Sequence, residues 1–234
     1  MKKTAVILCV ALFCMTIFFP IGVIVFSWFG YSFELGSVSA FTLVIEALSI
    51  CAVLFGVVSK AEIKSKAFHV LMALLAPLSL VNAVFYIYYC HTVFVIAGMS
   101  VSAICACALS IKYGKPLGLK IASLIVWALM VLPVCVISFV FLVFGEIGHT
   151  AVVNTVDSPN GRYYAQVVDS DQGALGGDTV VYVYEPKVID LYILKIEKKP
   201  QVVYFGEWAE FRTMEISWKN ENCLIINSVE YPVD

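Results

Sequence analysis

The sequence predicts a membrane α-helical bundle of five spans followed by a small all-β C-terminal domain, an antiparallel sandwich or half-barrel. Three observations predict it. Apolar residues gather into five long runs within the first 145 residues. Lysines alternate between the connections that separate those runs. From residue 146 onward the pattern changes to short alternating runs rich in Val, Ile and Tyr. The domains are accordingly 1–145 and 146–234.

The five runs are 4–29, 38–58, 67–88, 92–111 and 121–144. A span needs roughly 20 apolar residues to cross about 30 Å of hydrocarbon, and each run qualifies. The chain is 61% hydrophobic and only 14% charged, with a mean hydropathy of +0.92. A soluble chain carries about 25% charge, so the lipid bilayer is the first expected partner. The third and fourth runs are split by "YIYYCHT", which reads as a tight hairpin.

Lys2 and Lys3 precede the first run, three lysines sit in "SKAEIKSK" and three in "IKYGKPLGLK". The links "YSFELGS" and "YYCHT" have none. Five spans with a cytoplasmic N-terminus and a C-terminal domain outside the cytoplasm satisfy that alternation. Aromatic residues fit: Trp28, Tyr31, Phe33, Tyr86, Tyr88 and Tyr89 mark outer ends, with Tyr113 and Trp127 toward the inner face. The first run opens on "MKK" and is followed by "SVSA", but its apolar stretch exceeds the h-region of a cleaved signal peptide, so it is expected to be retained.

Glu46 in "FTLVIEALSI" is the only acidic residue well inside a span. It lies about 12 Å from the outer end of its span, and Asn82 about 9 Å from the outer end of the next. The expectation is that Glu46 faces the bundle interior and hydrogen-bonds Asn82 or a water. Two readings follow: a proton or cation site for transport, or a polar clamp between helices. Pro20, Pro77 and Pro133 lie inside spans and can kink them. The small residues of "AGMSVSAICACALS" suit close helix packing. Six of the eight cysteines fall within spans, where they act as small apolar residues. Only Cys90 and Cys223 lie on the oxidising side outside the bilayer core, and a bridge between them is not the favoured expectation.

The C-terminal part carries seven basic and fourteen acidic residues, which argues against a nucleic-acid partner. Seven strands are expected, at 151–156, 162–169, 179–185, 190–197, 201–205, 214–219 and 223–228. "SPNG" (158–161) is a turn with Pro159 presetting φ and Gly161 free to take positive φ. "KNEN" (219–222) makes a similar hairpin turn.

"DSPNGRYYAQVVDSDQGALGGDTVVYVY", "YFGEWAEF" and "MEISWKNENCLIIN" together resemble uncharacterised multi-span membrane proteins of Gram-positive bacteria, a family of unknown function. Those proteins carry a C-terminal extracytoplasmic β module with an SPDGKY-like start. The resemblance covers roughly residues 155–228, and "DSDQGALGG" is its most specific part. It implies a bacterial cell membrane and a folded module, and no activity. Asn160 and Arg162 stand where such modules more often have Asp and Lys.

"DSDQGALGGD" lacks the lysine and the following helix of a phosphate loop. Asp169 and Asp171 give the D-x-D start of a calcium loop, but Gly173 comes one residue early and no Glu stands at the twelfth position. Asp178, Glu207 or Glu210 could supply a ligand from elsewhere. A structural turn, a partner-binding loop and a metal site stay open; no cofactor is expected unless calcium binds here. No catalytic residue is expected. The single histidine of the domain, His149, has no nucleophile partner in the sequence, and Glu207 with Glu210 only weakly suggests the paired carboxylates of a cell-envelope hydrolase. The leading expectation is binding or sensing of an ion, a peptide or a protein through the outer β domain. The alternative is a transport or channel component using Glu46.

Overall fold

The computed structural model describes residues 2–58, 63–90, 92–144, 149–171, 176–185, 188–191 and 193–233. The chain divides into two compact units, Met1–Val25 with Leu35–Gly145, and Phe26–Glu34 with Glu146–Asp234.

The first unit is a bundle of α1 (Lys2–Trp28), α2 (Val38–Val58), α3 (Lys66–Tyr89), α4 (Val93–Tyr113) and α5 (Leu117–Phe144). All five helices are long and apolar enough to cross a membrane. A helix satisfies its own backbone polar groups, which hydrocarbon cannot do for it. The starts of α3 and α4 are capped where the sequence offers hydroxyls: Ser65 Oγ accepts from the Phe68 N–H at 3.3 Å, and Thr92 Oγ1 from the Val95 N–H at 3.4 Å. α3 ends at Tyr89 and α4 begins at Val93, so the expected hairpin is present.

α4 packs on both α2 and α3, and α3 packs on α5. Small residues allow this: Gly98, Ser102, Ala103, Ala106 and Ser110 are all buried on α4. At the far end of α2, Tyr113 Oη and Lys112 Nζ both donate to the Gly56 carbonyl, the former at 2.9 Å. They satisfy a carbonyl that the helix end leaves without an intrahelical donor. The prolines do not end their helices: α1, α3 and α5 run through Pro20, Pro77 and Pro133. Tyr86 is no interfacial marker. It is fully buried, and its ring meets Phe19 edge-on at 5.2 Å.

The second unit is all antiparallel. Its largest sheet contains β2 (His149–Asp157), β3 (Tyr164–Asp171), β4 (Gly177–Tyr184) and β7 (Gln201–Gly206), in the order β2-β3-β4-β7. A second sheet holds β8 (Ile216–Asn220), β9 (Cys223–Ile226) and β10 (Val229–Pro232), with β9 central. Inward residues of both sheets form one core, built on Tyr163, Ala165, Val167, Val181, Leu224 and Ile226. Burying a Leu or Ile side chain contributes about 1.5–3 kcal/mol.

A third sheet, β1 (Tyr31–Leu35), β6 (Leu194–Lys198) and β5 (Val188–Leu191), has the order β1-β6-β5. It corrects two expectations. The link "YSFELGS" is a strand, because its alternation buries Phe33 and Leu35 while Ser32 and Glu34 stay half-exposed. The expected strand 190–197 is a hairpin, in which Leu191 pairs with Leu194. β10 is a further strand beyond the seven expected; Asn227 and Ser228, at φ 49° and 68°, turn the chain into it.

The expected turn at 158–161 is present, with Gly161 at φ 69° and its N–H donating to Ser158 O at 2.9 Å. The turn is held from outside by Glu221. Its carboxylate accepts from Ser158 Oγ at 2.6 Å, the Asn160 N–H at 2.9 Å and the Arg162 N–H at 3.0 Å. These bonds hold the Glu221 carboxyl below the ordinary range, the Ser158 hydroxyl having the largest effect. Cys90 and Cys223 are both free thiols.

Candidate functional site

Glu46 lies on α2 and Asn82 on α3, and they do not hydrogen-bond. Asn82 is 2% exposed and its Oδ1 has no hydrogen-bond partner among the described residues. Glu46 instead faces α4, where its Oε2 stands 3.4 Å from the place a Cβ would occupy on Gly98. The reason is topological: α4 packs against both α2 and α3, so the α2 side chains that leave the lipid meet α4. The same seam joins Ser49 Oγ to Ser102 Oγ at 2.9 Å. A second intramembrane feature is an apolar cleft of about 300 Å³ between α3, α4 and α5, lined by residues that include Leu80, Met99, Ile104 and Trp127. The Trp127 indole N–H is buried without a hydrogen-bond partner among the described residues.

In the β unit, residues 172–175 of "DSDQGALGGD" lie outside the described residues. The flanking register is clear: Asp171 pairs with Gly177, Ser170 with Asp178, and Asp169 with Thr179. Successive side chains of a strand point to opposite faces. Asp169 and Asp171 therefore share one face of the hairpin and Asp178 takes the other. No group of three or more His, Cys, Asp or Glu that could hold a metal gathers among the described residues.

Asp178 instead borders a cleft of about 620 Å³ with Tyr204, Phe205, Gly206, Glu207 and Glu210. Glu210 is committed to holding this region together. It accepts from Tyr204 Oη at 2.6 Å, Asn227 Nδ2 at 3.1 Å and the Glu207 N–H at 3.0 Å. The hydrogen bond to Glu210 pushes the Tyr204 hydroxyl up to about 12. The carboxylate of Glu207 is thus the exposed member of the expected pair, and the two do not act as equals.

Sequence reasoning missed the aromatic residues beside it. Phe205 is 67% exposed and Trp208 56%. Ala209, next to Trp208, is held at φ 62°, a left-handed conformation that L-residues adopt at a cost of about 1–2 kcal/mol. Trp208 lies over the glycine end of the β3–β4 loop: a Cβ at Gly177 would come within 2.5 Å of its Cδ1. The run "YFGEWAEF" carried this signal, as two aromatic residues either side of a glycine and a glutamate.

β7 is also an outer strand. Among the described residues, β4 is the one strand paired with it. At the opposite edge, β2 contacts β8, and the Trp218 indole donates to Val156 O at 3.0 Å. Comparison with protein-family models, with curated proteins and with solved structures finds no match to this chain.

Proposed function

We propose that this is a membrane-anchored binding protein whose β unit captures an extended, basic peptide segment along β7. The observation that carries the reading is the β7 edge, which no described strand covers, beside the cleft of Glu207. A peptide can add to an exposed sheet edge by main-chain hydrogen bonds, with side-chain pockets supplying selectivity. An exposed apolar edge is a hazard that proteins otherwise blunt with charge or proline. β7 reads "QVVYFG", has neither lysine nor proline, and leaves Val202 54% and Phe205 67% exposed. Phe205 and Trp208 offer apolar platforms, and Glu207 together with the acidic balance of residues 146–234 favours Lys or Arg on the ligand.

In this reading the five helices anchor the unit in the cell membrane of a bacterium, and the lysine distribution supports a β unit outside the cytoplasm. Binding needs no resident cofactor. The test is a panel of short extended peptides, with and without basic residues, against the full chain in lipid nanodiscs. Saturable binding of basic members that Phe205→Asp abolishes supports the reading. Binding equal for the chain and the Phe205→Asp variant removes it.

A further inference from the structure

The third sheet of the β unit is amphipathic and is joined to the helices through β1. In the β5–β6 hairpin Leu191 pairs with Leu194, Ile189 with Ile196, and Asp190 with Lys195. Paired residues share a face, so Ile189, Leu191, Leu194 and Ile196 lie on one side, with Asp190, Lys195 and Glu197 on the other. The Lys199 N–H donates to Gly30 O at 2.8 Å and Ser32 Oγ to Glu197 O at 3.4 Å. These bonds set β1 antiparallel to β6 and put Phe33 beside Ile196 on the apolar side. That side changes from covered to bare across the sheet. Phe33 is 4% exposed, Leu194 and Ile196 are half-buried, and Ile189 and Leu191 are 59% and 53% exposed. Ile193 at the turn is 55% exposed.

Chain connectivity ties this sheet closely to two of the helices. β1 begins three residues after Trp28, where α1 ends, and α2 begins three residues after Leu35. Three residues reach at most about 11 Å. Both ends of β1 are therefore within that distance of a helix long enough to span a bilayer. Trp28, the last residue of α1, and Phe29 after it are 82% and 73% exposed, and amphipathic rings of this kind favour the level of lipid headgroups. Lys199 Nζ donates to Ser27 Oγ at 2.6 Å, tying the end of β6 to the same place.

We propose that the sheet β1-β6-β5 rests on the bilayer interface, with Ile189, Leu191 and Ile193 set among the lipid headgroups and upper acyl chains. The occupant of the apolar face is lipid. The polar side of the sheet carries Asp190 and the Lys195–Glu197 ion pair, and the Glu197 charge acts on the Tyr164 and Tyr184 hydroxyls of the largest sheet. The inference requires that α1 and α2 cross the membrane; it is independent of the direction in which they cross and of peptide binding at β7.

The test places an environment-sensitive fluorescent amino acid at 191 or at 193 of the full chain, reconstituted in phosphatidylcholine nanodiscs. Asn160, exposed in the β2–β3 turn, carries the reference probe. Blue-shifted emission at 191 and 193, quenched by lipids brominated near the headgroup and not by aqueous iodide, is the expected result. Quenching by iodide equal to that at 160 would put the hairpin in water and overturn the proposal. Protection from both quenchers would put protein over the face, a second copy or another chain, and overturn it equally. The two positions are independent, so loss of folding at one leaves the other to decide.

Discussion

The Ser110 hydroxyl on α4 donates at 3.3 Å to the carbonyl of Ala73 on α3. That carbonyl stands four residues before Pro77, which has no N–H to return to it. The bond is buried in a bundle where an unsatisfied carbonyl has no water to turn to. Ser110→Ala should lower the stability of the bundle by about 0.6–2 kcal/mol. Adding Pro77→Ala restores an intrahelical donor and should recover most of that loss. Thermal unfolding of the single and double variants in detergent measures it; a double variant as unstable as the sum of the singles would break the link between the two residues.

Gly98 is fixed by Thr42. A Cβ at 98 would lie 2.6 Å from Thr42 Cγ2, closer than packed carbons approach. Gly98→Ala should cost about 1–3 kcal/mol by overpacking. Thr42→Ser removes Cγ2 and keeps the hydroxyl that donates to Val38 O at 2.9 Å, so it should rescue the alanine variant. Unfolding midpoints of the pair, singly and together, test this. Failure of rescue would move the cause away from the α2–α4 seam.

The β unit should lose stability in acid through Glu221. The folded chain holds this carboxyl below its ordinary value of 4.5, so it binds its proton less readily than the unfolded chain. Stability from this group is present above that value and is lost as pH falls through and below it. Glu221→Gln should lower the melting temperature at neutral pH and flatten its fall below about pH 4.5. An unchanged acid limb in the variant would assign the loss to other carboxylates.

The lysine alternation of the links predicts a cytoplasmic N-terminus and a β unit outside the cytoplasm. A reporter enzyme active only outside the cytoplasm should work when fused after Asp234 and fail when fused in the 59–65 link. The reverse pattern would invert the topology and place the β unit in the cytoplasm.

The helices were legible because each run is long, uncharged and bounded by polar links. Which helices touch was not legible. Glu46 and Asn82 have similar depth on consecutive spans, yet α4 draws the Glu46 side chain, and hydropathy carries no information about neighbours. In the β unit, Phe33 and Leu35 announced their alternation in "YSFELGS", but a five-residue strand between two spans reads as a link. The turn at 158–161 could be read from Pro159 and Gly161, while its partner Glu221 lies about sixty residues away and could not. The three aspartates of the β3–β4 hairpin looked like a ligand set; strand alternation sends them to two faces. The role of Glu210, and the exposed Phe205 and Trp208, depend on a loop geometry fixed by the left-handed Ala209, which no local residue pattern demands.

The central claim, an open β7 edge that receives a peptide, is tested most directly by amide hydrogen exchange across Gln201–Gly206 in the full chain in nanodiscs. The measurement compares the free chain with the chain saturated by a basic peptide from the panel. Peptide addition to the edge predicts slowed exchange at alternate β7 amides, with β2 amides unchanged. Saturable binding with no change in β7 exchange would contradict it and place the ligand elsewhere on the chain.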